Sequence, residues 1–185
     1  MKHYIKSMLP VTAVILLTAC GDNTATKGEM GEHDGHDHAK TEEAPATAST
    51  NPVLKDEKMN AVYQHYVHLT TALTNSDMAE AKIAANAIEA GANEVSGAEV
   101  IAASASKITA ANDLEVQRKH YEDMSNAMIT LLKNDGLSNG EVYVQYCPMA
   151  FDDKGASWIS SSKDIRNPYF GDKMLNCGEV KETIN

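Results

Sequence analysis

The chain has 185 residues, of which 43% are hydrophobic and 23% are charged, proportions typical of one globular domain with polar tails. Sixteen basic residues against 26 acidic ones give a formal net charge of −10, which disfavours nucleic acid as a partner because phosphates would be repelled. The counts of 11 Gly, 5 Pro and 3 Cys exclude collagen-like and disulfide-rich classes.

The first twenty residues have the pattern of a bacterial export signal. Lys2 and Lys6 precede a short apolar stretch over residues 8–19, and Leu17-Thr18-Ala19-Cys20 resembles the lipoprotein box, in which the cysteine is lipidated. We therefore expect a signal peptide over residues 1–19, a lipid anchor on Cys20 and a place in the cell envelope, facing the periplasm or on the outer membrane. An ordinary signal peptide with a chance cysteine is the less favoured interpretation.

Residues 20–52 are predicted to form a disordered tether between the lipid and the domain. From Gly21 to Pro52 there is no aromatic residue and no Leu, Ile or Val, so this stretch has little to bury in a core. His33, His36 and His38 alternate with carboxylates and would bind Cu(II), Zn(II) or Ni(II) weakly, because the segment is not preorganised. A solvated linker whose histidines bind nothing is an equally good interpretation.

Four segments of the remaining chain have the apolar spacing of amphipathic helices. They cover residues 54–74, 78–95, 100–108 and 114–134. Asp77 is a candidate N-cap, with Glu80 three residues later, and Gly136 follows the last segment as a stop. Short connections between such helices favour an antiparallel bundle of three or four helices.

After Gly140 the pattern changes from helix to strand. Residues 141–146 alternate and are rich in β-branched and aromatic side chains, which predicts a strand. Residues 152–155 form a turn, and residues 156–159 are a candidate return strand. We therefore predict a mainly α domain over residues 53–185, which ends in a small β-hairpin and an irregular loop containing Cys and Met.

The C-terminal segment concentrates sulfur at Cys147, Met149, Met174 and Cys177. If the hairpin and the loop fold back, two thiols and two thioethers converge, and soft sulfur ligands select soft ions, above all Cu(I) and Ag(I). Three aromatic side chains of the same segment are candidates to shield such a site from water: Trp158, Tyr169 and Phe170.

A disulfide between Cys147 and Cys177 is the alternative, slightly favoured by spacing alone. Oxidising conditions in the envelope permit it, and in the chain-entropy model such a closure stabilises a fold by about 3–4 kcal/mol. The two methionines would then be core fillers. A redox switch between the two states is a third possibility.

Three parts of this segment together resemble a known family: residues 143–150 (YVQYCPMA), residues 155–160 and residues 165–178. The family is a domain of unknown function found in Bacteroidetes-type envelope lipoproteins and at the C-terminus of copper/silver efflux (RND-type) periplasmic adaptor proteins. The helical part is similar to that family in pattern, but less specifically. The resemblance implies a setting of heavy-metal efflux or resistance, while the set of sulfur ligands is inferred from the residues themselves.

Enzyme signatures are absent from the sequence. It contains no Gly-rich phosphate loop, nucleophile elbow or HExxH motif, so we expect no catalytic function. Two hypotheses follow. The first is a lipid-anchored protein that binds Cu(I) or Ag(I) and buffers the ion or passes it to an efflux adaptor or another envelope protein. The second is a disulfide-stapled interaction module that binds no metal.

Overall fold

The computed structural model describes residues 51–185. The predicted signal peptide, the lipidation site Cys20 and the three histidines of the tether lie outside the described residues. Within residues 51–185, none of the helices combines the length and the apolar character needed to cross a membrane.

Four helices make up the first part of the described chain: α1 (Glu57–Thr74), α2 (Met78–Ala92), α3 (Glu99–Ala110) and α4 (Leu114–Asp135). Short connections join them, and each helix packs against the next along the chain. This confirms the predicted helical bundle, with four helices rather than three.

Capping residues determine where these helices begin and end. The Asp77 side chain accepts a hydrogen bond from the backbone N–H of Glu80 (2.9 Å), as predicted for the start of α2. Asp56 and Asp113 cap α1 and α4 in the same way. Gly136 ends α4 with a φ of +71°, a conformation that glycine adopts without strain.

Small residues allow α1 and α2 to approach closely. The buried face of α2 is mostly alanine, with Ile88 as its one large side chain. A Cβ at Gly91 would lie only 2.9 Å from Cγ2 of Val62 in α1. Close contact between helix backbones follows from this composition, as the alanine pattern of the sequence predicts.

The strands form two antiparallel sheets. A short strand β1 (Val53–Leu54) pairs with β2 (Leu137–Asn139). The second sheet has the order β4–β3–β5, with β3 (Val142–Cys147), β4 (Ala156–Ser160) and β5 (Glu179–Ile184). The predicted hairpin is therefore confirmed as β3–β4, and β5 adds a third strand that the sequence analysis did not anticipate.

A buried network of tyrosines joins the bundle to the sheet. The Tyr66 hydroxyl in α1 accepts hydrogen bonds from the Tyr121 hydroxyl in α4 (2.9 Å) and from the backbone N–H of Ile159 in β4 (3.1 Å). It also shares a hydrogen bond with Ser125 (2.8 Å). Burial raises the pKa of both phenols, so they stay neutral. The Tyr66 side chain thus holds together two helices and the sheet that contains Cys147.

Candidate functional site

Cys147 and Cys177 lie together at the end of the three-stranded sheet. Cys147 is the last residue of β3 and is completely buried, and Cys177 lies in the loop before β5. Because β5 runs antiparallel to β3 with Glu179 opposite Tyr146, the residues just before β5 reach the level of Cys147. The two Sγ atoms are 2.8 Å apart, and both cysteines are free thiols.

The distance between the two Sγ atoms lies between the distance in a disulfide and the distance between two sulfurs that bind one ion. A disulfide has an S–S bond of about 2.05 Å. Two sulfurs that each lie about 2.3 Å from one tetrahedral ion are roughly 3.7 Å apart. From 2.8 Å, either state needs only a local movement of the loop that bears Cys177. The pair can therefore form a covalent staple or provide two ligands to one ion.

Asn167 positions the Cys177 loop. It is fully buried, and its side-chain Nδ2 donates to the carbonyl of Cys177 (2.8 Å). Its Oδ1 accepts from the backbone N–H groups of Tyr169 (2.8 Å) and Phe170 (3.2 Å), and its own N–H donates to the Leu175 carbonyl (2.8 Å). One amide thus ties the beginning of the loop to its end.

The surroundings of Cys177 disfavour the charged thiolate form of its side chain. Burial, together with the hydrogen bond and the charge interaction with Cys147, raises the pKa of Cys177 to about 11, while a hydrogen bond from the Met149 backbone partly opposes this. At neutral pH the thiol is protonated. A soft ion that binds this sulfur must therefore displace a proton.

The two methionines lie around a neighbouring cleft of about 510 Å³. Met149 follows β3 and is 47% exposed. Met174 follows a 3₁₀ turn (Gly171–Lys173) and is half-buried. Neither cysteine lines the cleft, whereas both methionines do, together with three aromatic and three acidic residues: Phe151, Tyr169, Phe170, Glu115, Asp152 and Asp153. The structure thus brings the four predicted sulfurs to one corner, but as two pairs.

Of the three aromatic residues predicted to shield the sulfurs, two line the cleft and one does not. Tyr169 and Phe170 line the cleft. Trp158 is buried beneath it and packs edge-on against Tyr169, with ring centroids 6.0 Å apart. Phe151 meets the same tyrosine at 5.4 Å, also edge-on. Trp158 therefore supports the wall of the cleft instead of facing an ion there.

A left-handed turn forms one rim of the cleft. Phe151, Asp152 and Asp153 have φ values of +53°, +57° and +64°, and the turn closes with a hydrogen bond from the Gly155 N–H to the Ala150 carbonyl (2.9 Å). Left-handed conformations cost residues other than glycine about 1–2 kcal/mol each. Such strain concentrates at functional sites, and here it presents one aromatic ring and two carboxylates to the cleft.

Arg118 is a structural residue that the sequence analysis missed. It is buried in α4, and its guanidinium donates to the carbonyls of Pro168 (2.9 Å) and Leu73 (3.2 Å) and to Glu115 (2.7 Å). It thereby links two helices to the loop that lines the cleft. Its position one residue from the predicted apolar seam of α4, four after Leu114 and three before Tyr121, is a signal that could have identified it.

Among residues 51–185, no group of three or more His, Cys, Asp and Glu side chains has the arrangement of a metal site. Methionine thioethers are not among those side chains, and Cys147 and Cys177 are only two of the three that such a group needs. Any site in this corner would therefore depend on thioethers. Within the described chain, the fold and the sulfur pairs together define a helical-bundle domain with a sulfur-rich corner at its C-terminal sheet.

The comparisons with known proteins find a similarity over part of this domain. Residues 62–140 match the model of the family described as "Protein of unknown function (DUF3347)". The match covers most of the helical bundle and ends before β3, so the sulfur-rich corner lies outside it. No curated protein and no solved structure matches the chain.

Proposed function

We propose that this protein binds soft heavy-metal ions, Cu(I) or Ag(I), at the corner formed by Cys147, Cys177, Met149 and Met174. The observation that supports this most strongly is the 2.8 Å contact between the two thiols, directly beside a cleft lined by both thioethers. Sulfur ligands of both kinds prefer soft monovalent ions. The excess of acidic residues over the whole chain favours the approach of cations.

The proposed setting is the cell envelope. The lipoprotein box at Cys20 supports a lipid anchor there, and the resemblance of the C-terminal motif supports a connection with copper/silver efflux. The protein would buffer the ion or pass it to an efflux adaptor or another envelope protein. Exchange of sulfur ligands is sufficient for such a transfer, so we propose no catalytic step. The histidines 33, 36 and 38 would act as a weak collector.

An anaerobic competition titration of Cu(I) against a chromophoric chelator tests the proposal. The chain carries Cys20→Ala, together with alanine at positions 33, 36 and 38, so that only the sulfur corner is measured. With reduced thiols we expect one tight site. Substituting Ser for both Cys147 and Cys177 should weaken it by more than about 100-fold, since even the loss of groups that merely support ligands costs 10–100-fold.

Cys20, the third cysteine of the chain, provides the control for cysteine replacement. Cys20→Ala alone, in the presence of the other two cysteines, should leave the affinity of the tight site unchanged. A double serine variant that keeps the tight site would overturn the proposal. Absence of any competition with the chelator in the parent chain would do the same.

A second candidate function is a structural or interaction module with a permanent disulfide. The same short separation of the two Sγ atoms favours it, because little movement is needed to join them. Counting free thiols on denatured protein isolated from the envelope distinguishes the two functions. No free thiols, together with partner binding that is indifferent to copper, would favour the disulfide-stapled module.

A further inference from the structure

The four sulfurs of the corner differ in their access to solvent. Cys147 is completely buried, whereas Met149 is almost half exposed and shares the open cleft with Met174. Cys177 is partly exposed, as Met174 is. The cleft is open to water and neither cysteine lines it, so an ion can reach the thioethers without passing the buried thiol of Cys147.

The two pairs also differ in chemistry. A thioether has no proton to lose and cannot form a disulfide, so its binding of a soft ion depends on neither the pH nor the redox state of the cysteines. When an oxidant removes two electrons from the cysteine pair, the Sγ atoms join, two protons leave, and both thiols cease to be available as ligands.

We propose, as an extension of the proposed function, that Met149 and Met174 form a thioether site for Cu(I) or Ag(I) that works independently of the cysteines. This site remains able to bind when Cys147 and Cys177 are joined in a disulfide. Its volume of about 510 Å³ exceeds what one ion needs, so a ligand from water or from a partner has room to enter beside the ion.

The walls of the cleft suit a soft cation. Tyr169 and Phe170 line it, and aromatic rings attract cations and sulfur alike. Glu115, Asp152 and Asp153 also line it and add negative charge, which raises the local concentration of cations. The strained turn that holds two of these carboxylates in place belongs to the same rim.

Ag(I) binding tests this inference on the oxidised full-length chain that carries Cys20→Ala and alanine at positions 33, 36 and 38, so that neither a third thiol nor the histidines compete. Oxidised glutathione joins the two cysteines and is itself reduced to two thiols, which are then removed. Ag(I) is the probe because it needs no reductant that would reopen the disulfide. Methionines labelled with ¹³C at the methyl group report each thioether separately by NMR. Met149→Leu and Met174→Leu assign two of the signals and conserve side-chain volume.

We expect the methyl signals of Met149 and Met174 to shift together and to saturate at one Ag(I) per chain. Each leucine variant should weaken this binding at least about tenfold, which corresponds to about 1.4 kcal/mol. Met78→Leu is the matched control, because Met78 is exposed at the start of α2 and does not line the cleft. This variant should bind Ag(I) as the parent does, and in the parent the Met78 methyl signal should not shift.

The other outcomes separate this inference from the proposed function. If the two signals shift only in the reduced chain, the methionines are not an independent site, and the four-sulfur proposal survives. If one signal shifts without the other, the thioethers do not act as a pair. If neither redox state binds Ag(I) at these residues, both the inference and the proposed function fail.

Discussion

Replacing Arg118 by Met should destabilise the domain by about 2–4 kcal/mol. The guanidinium is buried and donates to two carbonyls and two side chains. The variant leaves the buried carbonyl of Pro168 without this donor, at a cost of about 1–3 kcal/mol. The carbonyl of Leu73 loses less, because the backbone N–H of Ser76 also donates to it (3.1 Å). Glu115 loses its ion-pair partner at little cost, since 64% of the Glu115 side chain is itself in solvent.

Urea unfolding followed by circular dichroism measures this loss. Lys119→Met is the matched control, because Lys119 is the next residue along α4 and is exposed. It should change the free energy of unfolding by less than about 0.5 kcal/mol. Arg118→Lys should lie between the two variants, since an ammonium group cannot donate in all the directions that the guanidinium reaches. An Arg118→Met variant as stable as the parent would refute the assignment of Arg118 as the link between bundle and loop.

Three further predictions concern the core and the loop. Tyr66→Phe removes the hydroxyl that accepts from the Ile159 N–H, so the free energy of unfolding should fall by about 1–3 kcal/mol in the same urea experiment. Asn167→Ala removes the side-chain hydrogen bonds to the Cys177 carbonyl and from the N–H groups of Tyr169 and Phe170, so alkylation of Cys177 at constant pH should become faster. Because the pKa of Cys177 is raised to about 11, its alkylation in the reduced parent chain should accelerate up to that pH, and Cys147→Ala should lower the midpoint.

The raised pKa of Cys177 also has a consequence for stability. The folded state holds this proton more tightly than the unfolded state, in which the pKa of the thiol has its ordinary value of about 9.0. The contribution to stability is therefore fully present below pH 9 and disappears as the pH rises towards about 11. Buried tyrosines act in the same direction, so only the difference between the parent and Cys177→Ser isolates this thiol. Identical pH profiles of stability for the parent and Cys177→Ser would contradict the raised pKa of Cys177. Alkylation of Cys177 that is no faster in Asn167→Ala than in the parent would contradict the role of Asn167 in holding the loop.

The helices could be predicted from the sequence because their signals are local. Apolar spacing along each helix, the cap at Asp77 and the stop at Gly136 depend on neighbours within a few residues. The hairpin β3–β4 was predictable for the same reason. The strand β5 was not, because all of its residues but the last are at least partly solvent-exposed and its partner β3 lies more than thirty residues earlier. Its pairing is a tertiary event.

The candidate site, too, was predictable from the sequence only in part. The sequence by itself determined which residues offer soft ligands, since sulfur chemistry is a property of Cys147, Met149, Met174 and Cys177 wherever they lie. Only the tertiary structure decided that the thiols meet at 2.8 Å and that the thioethers line a separate cleft. That division depends on the path of one loop, which Asn167 and Arg118 hold by hydrogen bonds to backbone carbonyls. Such bonds join groups distant along the chain or around an irregular loop, and no spacing pattern in the sequence encodes them.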